Sequence, residues 1–344
     1  MKYREGDYIE TKEGLLFHVK GVLHPANRVI AFLRYLPSRN GDRRHAGEKY
    51  RKIYPIKDRY DFLKKNYPKY VFFSEKIQKE IQCVPIEDVK KVYKPCERLE
   101  EIRKGKNLSD IEKSVLEFSN KIIKESSIKP EKLGISGSIL VKLDHEKSDI
   151  DLIGYGEKEG WEIYKALEKL RKRDSKVKQY GEKNSRKMAG FRWGNTGLPQ
   201  NTMAKIEREK ILHGLYGNRD FFMRLVKDWS DIDSNFEDFS YQQEGEGKIR
   251  GIVSNDKDSI FTPNKYFLKS CQSLAGDFEQ VDRIVSYRGR FTEQAVKGEK
   301  IVAKGRIEKV KHKKETYYRM LLGKPEEYLI PLRKNLEFPK KFLS

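Results

Sequence analysis

The chain has 344 residues, 37% hydrophobic and 11% aromatic, with 73 Lys and Arg against 52 Asp and Glu, a net charge of +21. It has no run of about 18 apolar residues that would make a membrane-spanning helix, and its three cysteines (Cys83, Cys96, Cys271) are too scattered for a disulfide scaffold or a cysteine zinc site. No apolar segment follows Met1-Lys2-Tyr3-Arg4-Glu5, so a soluble, cytoplasmic protein is expected, and its positive field points to a polyanion partner, nucleic acid first. Solubility alone, in a Lys- and Glu-rich chain, is the competing account.

The first 36 residues read as strands: Asp7–Glu10, Gly14–Val19 and Arg28–Tyr35. Residues 37–50 are polar, with Gly41 and Gly47, and read as a loop. Residues 58–104 read as short helices broken by Pro68, Pro85 and Pro95. Ser109 is placed to cap a helix whose stripe is Ile111, Val115, Leu116, Phe118, Ile122 and Ile123. Leu133–Ser138 follows as a short strand and turn, then a helical turn over Ile139–Leu143 and a strand over Ser148–Gly154. Glu157–Arg173 is an amphipathic helix, and Ile211–Tyr216 with Asp220–Val226 forms a hairpin over Gly217-Asn218.

Charge is uneven along the chain. Residues 171–200 hold nine Lys and Arg against Asp174 and Glu182, interleaved with Tyr180, Phe191 and Trp193. Basic groups neutralise phosphates and aromatic faces stack unpaired bases; a solvated helix end and loop is the plainer account. Asp228, Asp231, Asp233, Glu237 and Asp238 then follow with no basic residue, which reads as an acidic linker. Beyond it, strand candidates at 249–253, 260–261, 265–268, 282–287, 300–310 and 316–322 suggest a small β-barrel. Ser286-Tyr287-Arg288-Gly289-Arg290-Phe291 could hold single-stranded nucleic acid there, or pack as strand with snorkelling arginines.

The chemistry concentrates in Gly137-Ser138 and, after ten residues, Asp149-Ile150-Asp151. Residues two apart on a strand share a face, so the two carboxylates stand together. Such a pair repels unless a cation intervenes, and hard oxygen donors suit Mg²⁺, which keeps waters and takes substrate phosphates as further ligands. Gly137 lets the backbone approach a phosphate closely, and Ser138 offers a hydroxyl and N–H donors.

These residues resemble the signature of the DNA polymerase β-like nucleotidyltransferase superfamily over roughly residues 108–228, and the whole chain is similar to uncharacterised archaeal predicted nucleotidyltransferases. The resemblance implies Asp149 and Asp151 as ligands of Mg²⁺ or Mn²⁺, Gly137 and Ser138 as the triphosphate cradle, and an NTP as donor. It also implies a third carboxylate on a neighbouring strand. Asp220, at the start of Asp220–Val226 and sharing a face with Phe222 and Arg224, is the candidate, with Asp228 next. Ser230-Asp231-Ile232-Asp233 repeats Ser148–Asp151 but follows no glycine-serine turn, and reads as linker. Among the six histidines no metal-binding spacing occurs; His145, Lys142 and Lys147 flank the loop before the carboxylates.

The expected protein is α+β. A β-then-helical accessory region (1–104) precedes a nucleotidyltransferase domain of mixed sheet and helices (105–228), an acidic linker (229–240) and a β-rich, barrel-like domain (241–344). The expected activity is Mg²⁺-dependent transfer of a nucleoside monophosphate from an NTP to a hydroxyl, RNA being the acceptor the charge favours. The alternatives are a non-catalytic RNA-binding protein that keeps the fold, or an enzyme transferring AMP to a protein.

Overall fold

The computed structural model of the chain describes residues 2–45, 47–278 and 280–344. Helices and several mixed sheets make it an α+β protein. Two compact units are present, each built from two stretches: Met1–Lys176 with Leu215–Glu237, and Val177–Gly214 with Asp238–Ser344. Residues 1–104 thus cluster with the carboxylate region in one unit, and residues 177–214 cluster with the C-terminal strands.

The first unit begins with an eight-stranded sheet. Its main path runs Arg43–His45, Glu48–Lys52, Arg28–Pro37, Leu16–Val19, Tyr8–Thr11, Val89–Tyr93, and Lys79–Pro85 pairs with both Arg28–Pro37 and Val71–Ser74. Two expectations are corrected here. Residues 37–50 contain a paired hairpin, and 71–93 are strands between the helices Ile56–Asn66 and Pro95–Lys104. Their Val, Ile, Phe and Tyr side chains fit a pleated, half-buried surface, and Pro85 ends a strand where it was expected to break a helix.

Both faces of this sheet are covered. On one, Leu63 of the first helix meets Ile9, Phe17, Val19, Ala31 and Leu33. On the other, Tyr8, Leu16, Tyr35 and Tyr50 meet Leu140, Val141 and Leu143, which follow the glycine-serine turn. Each such large side chain contributes about 1.5–3 kcal/mol when fully buried. The accessory sheet is therefore part of the core under the turn.

The helix Asp110–Ser126 starts as expected. Ser109 Oγ accepts from Glu112 N, and Glu112 Oε2 accepts from Ser109 N at 2.9 Å, so two orphan N–H groups are satisfied. Its stripe buries Ile111, Val115, Phe118 and Ile122, and Phe118 stacks on Tyr216 at 4.4 Å between ring centroids. The helix Glu157–Arg173 buries Ile163, Ala166, Leu167 and Leu170.

In the second unit, the helices Glu182–Trp193 and Gln200–Glu209 pack Trp193, Met203 and Ile206 against Ile249, Tyr266, Ile301, Ile307 and Met320. Two long strands, Phe239–Asn255 and Lys300–His312, pair with each other. The rest of the path runs Asn264–Ala275, Arg283–Ser286, Glu315–Leu322 and back to Lys300–His312, so pairing returns to where it began, with Tyr328–Pro331 added. The acidic segment is not loose. Asp228 and Asp231 cap the turn Trp229–Asp231, and Asp231 Oδ2 accepts from Glu157 N at 2.7 Å.

Candidate active site: two carboxylates on a glycine-serine turn

The strand Ile150–Tyr155 lies between Leu133–Ile135, antiparallel, and Arg219–Val226, parallel. Ser136 N donates to Asp151 O at 2.8 Å and fixes the turn to the start of this strand. Gly137 sits at φ +64°, a left-handed conformation that favours glycine, and a Cβ there would collide with Asp151 Oδ2. The turn thus needs glycine for two independent reasons, and the second is the carboxylate itself.

Burial, and then the neighbouring charge of Asp149, push the Asp151 carboxyl up to about 7. Arg224, Lys52 and Arg34 pull the other way without overcoming this. Neither Asp149 nor Asp151 has a hydrogen bond or ion pair to its carboxylate among the described residues. A half-buried carboxylate with no donor and a like charge beside it is unfavourable by itself, and a cation placed between the two relieves both costs. The pair could hold Mg²⁺ or Mn²⁺, with water and phosphate oxygens as the remaining donors.

Ser138 is buried, and its hydroxyl donates to Ser148 Oγ at 3.3 Å; Ser148 Oγ in turn accepts from His145 N at 3.0 Å. Its side chain braces the loop that delivers the carboxylates. The accessory region holds the same loop: Arg43 Nη1 donates to Leu143 O at 2.6 Å, and Arg43 Nη2 lies 3.2 Å from His145 Nε2. Ser136 Oγ donates to Gly6 O at 2.9 Å. Lys142 turns to Glu101 at 3.8 Å.

The expected third carboxylate, Asp220, stands beside Asp149 and not beside Asp151. The register sets Phe222 beside Asp151, which by the same offset sets Asp220 beside Asp149, exposed at the start of its strand. Among the described residues, no group of three or more His, Cys, Asp or Glu is placed to hold a metal ion. Asp228 is excluded by distance. It lies beyond the far end of the parallel strand, several residues on at about 3.3 Å each, where Lys132 at 2.8 Å and Arg4 at 3.3 Å hold it below the usual carboxylate range despite its burial.

Several groups around the pair escape a linear reading. Tyr8 lies under the site, its hydroxyl pushed up to about 12 by burial, with Asp151 adding to the shift. Arg224 is paired to the fully buried Glu5, which also accepts from Lys20 Nζ at 2.9 Å. Burial would raise Glu5, but these two cations outweigh it and keep its carboxyl below the ordinary range. Arg224 was legible as sharing the carboxylate face; Tyr8, Arg34 and Lys52 reach the site only through sheet pairing and carry no local signal.

The basic block resolves into surface and core. Tyr180 and Trp193 are buried, whereas Phe191 is 82% exposed. In the Ser286–Phe291 segment, Arg290 donates to the carbonyls of Arg192, Lys324, Pro325 and Glu327, and Phe291 is buried, so this half of the segment is packing.

No helix among the described residues is long and apolar enough to cross a membrane. No protein-family model matches the chain, and no solved structure matches it. The uncharacterized protein MJ1086 of Methanocaldococcus jannaschii is 32% identical over 336 residues, which span 95% of this chain and 97% of that protein. The shared stretch takes in both units almost whole, and the chain belongs to the family of MJ1086.

Proposed function

We propose that this chain is a Mg²⁺- or Mn²⁺-dependent nucleotidyltransferase of the polymerase β-like kind, with a small C-terminal barrel and RNA as acceptor. The observation that carries this reading is the Asp149–Asp151 pair, half-buried and without a hydrogen-bond or ion-pair partner among the described residues, with Asp151 pressed on the Gly137 turn. A surface D-x-D would be solvated and indifferent to its neighbours. In the reaction, an acceptor hydroxyl oxygen bonds to the α-phosphorus of an NTP, the bond to the β-phosphate bridge breaks, pyrophosphate leaves, and the hydroxyl proton passes to water. The bound cation supplies charge neutralisation of the phosphates. Asp149 and Asp151 hold the cation, Gly137 leaves room for the phosphate chain, and Ser138 with Ser148 keeps the loop in place. The closed circuit of strand pairing in the second unit supports the barrel. The net charge of +21 supports a polyanionic acceptor over a small metabolite.

A second reading, an RNA-binding protein that keeps the fold without turnover, is favoured by one observation: an aromatic residue, Phe222, stands beside Asp151. Incubation with each labelled NTP, Mg²⁺ or Mn²⁺, and total cellular RNA separates them. Label entering RNA, and lost in the Asp149→Ala, Asp151→Ala double variant, supports the enzyme. Label entering the protein fraction marks AMP transfer to a protein. No transfer at all, with salt-sensitive RNA binding intact in the double variant, supports the binding protein.

A further inference from the structure

The accessory sheet does more than support the turn. Between Leu16–Val19 and Arg28–Pro37 the register slips: Phe17 faces Leu33, yet Leu16 faces Tyr35. Arg34 is the extra residue, a β-bulge, and a bulge re-aims the side chain it carries. Regular alternation would turn Arg34 and Tyr35 to opposite faces. Tyr35 instead packs with Tyr8, Leu140 and Leu143 beneath the carboxylates, and Arg34 is among the cations that act on Asp151.

Lys52 joins it. It pairs with Tyr35 across the strands. Lys52 Nζ stands 4.7 Å from the Tyr54 ring centroid, and the Arg34 guanidinium stands 5.3 Å from the same ring. Tyr54 is 57% exposed, so this end of the sheet opens to solvent. The contrast with neighbouring arginines is informative. Arg43 donates to Leu143 O, Arg59 to Ile53 O and Tyr54 O, and Arg98 to Ile139 O and Glu112. Those are structural cations, each spent on a protein acceptor. Arg34 and Lys52 are half-buried, have no carboxylate partner among the described residues, and both act on Asp151.

We infer that Arg34 and Lys52 bind the phosphate chain of the donor nucleotide, so that the accessory region of residues 1–104 supplies one wall of the nucleotide site. This rests on the nucleotidyltransferase reading above. Two carboxylates with one divalent cation leave a triphosphate with uncompensated negative charge, and Arg34 at the bulge and Lys52 opposite Tyr35, neither with a carboxylate partner among the described residues, match it. An arginine adds planar, two-pronged contacts to phosphate oxygens and a lysine adds a point charge. The base plays no part in this grip, so it is expected to be the same for every NTP.

The test uses the full chain and two probes: inorganic tripolyphosphate with Mg²⁺, bound at equilibrium in a calorimeter, and the NTP that the wild-type chain transfers. The Arg34→Gln, Lys52→Gln double variant is expected to bind tripolyphosphate about 10- to 100-fold more weakly and to raise KM for the NTP similarly, with kcat within about threefold. Lys52→Arg is expected to restore most of the binding, and Lys65→Gln, which removes an exposed charge from the first helix, is expected to change nothing. Circular dichroism and a thermal melt check that the variants fold. If the wild-type chain transfers nucleotides but the folded double variant binds tripolyphosphate normally, the inference is overturned and the nucleotidyltransferase reading stands. The inference is equally overturned if only RNA binding weakens, since the two cations would then serve backbone phosphates. A wild-type chain that neither transfers a nucleotide nor binds tripolyphosphate overturns both.

Discussion

Asp151, half-buried, and Glu207, fully buried, are carboxylates of opposite electrostatic character. In the second unit, Glu207 accepts from Arg192 Nη1 at 2.7 Å, Trp193 Nε1 at 2.8 Å and Lys210 Nζ at 3.0 Å. Burial raises its pKa, but Lys210 and Arg192 outweigh this and hold the carboxyl far below the usual range. In the first unit, Asp151 has like charge at its side and no donor on its oxygens, and it moves up to about 7. The comparison separates a finished ion cluster from an unfinished one. Burying a charge is tolerated when the protein itself supplies the partners; where it does not, the group holds its proton to higher pH.

The largest test of this difference is at Glu207. Glu207→Ala leaves Lys210, which is 2% exposed, and Arg192 without their anion. A loss of about 3–5 kcal/mol is expected, read from urea or thermal unfolding of the second unit. A loss under about 1 kcal/mol would place Glu207 in the same class as Asp151 and remove the contrast. Next in size is Gly137→Ala. It forces a left-handed residue to carry a Cβ and drives that Cβ into Asp151 Oδ2. Nucleotide transfer is expected to fall by about 100-fold or more, since small displacements of reacting groups are costly. A variant with near-normal kcat would show that the carboxylate need not rest on the turn.

Asp151→Asn reverses the sign seen at Glu207. The Asp151 carboxyl titrates near 7 when folded and near 3.8 when unfolded, so between these values the native state holds more protons. Its contribution to stability therefore declines as pH rises from about 4 to 7. Without added divalent cation, Asp151→Asn is expected to be more stable than wild type at pH 8, by up to about 4 kcal/mol, and nearly equal to it at pH 4. Glu207 behaves oppositely: its stabilisation is full above its unfolded pKa near 4.5 and is lost as the pH falls. Mg²⁺ is expected to stabilise wild type and leave Asp151→Asn almost unchanged. Thermal melts at three pH values with and without Mg²⁺ check all of this, and a wild type more stable than the variant at pH 8 without Mg²⁺ contradicts it.

How far these features were legible in the sequence follows from how local their causes are. The Ser109 cap, the Glu157–Arg173 helix and the turn before Asp149 depend on neighbours a few residues away, and they were readable. The strands at 71–93 were not, because they take their shape from pairing with Arg28–Pro37, with Tyr8–Thr11 and with each other. Arg34 sits at a bulge, which exists only once two strands are in register. Of Glu207's partners only Lys210, three residues on, is local; Arg192 and Trp193 become its neighbours only when two helices come together. The third carboxylate shows the converse. Alternation set Asp220 on the right face, but register puts it beside Asp149, exposed, with Phe222 in the place beside Asp151.

The smallest expected effect concerns the basic block, where core and surface lie on one helix. Ser185, Ala189 and Trp193 are spaced by four and are buried; Lys183, Lys187 and Phe191 have the same spacing and are exposed. Four-residue spacing puts each set on its own face. An aromatic residue 82% exposed beyond two lysines gains nothing from folding, but it can stack on an unpaired base whose phosphates the lysines neutralise. Phe191→Ala is therefore expected to leave the melting temperature unchanged and to weaken single-stranded RNA binding by about 1 kcal/mol, roughly fivefold. Its weakening should not depend on salt, because stacking releases no counterions, whereas Lys183→Gln and Lys187→Gln should each lower the slope of log K against log salt by about 0.7. Trp193→Ala, on the inward face, is expected to do the reverse: a loss of several kcal/mol in stability, through both a cavity and the donor taken from Glu207. If Phe191→Ala leaves RNA binding intact while the lysine variants weaken it, the helix meets RNA through charge alone, and the aromatic residues in the basic block carry no information about unpaired bases.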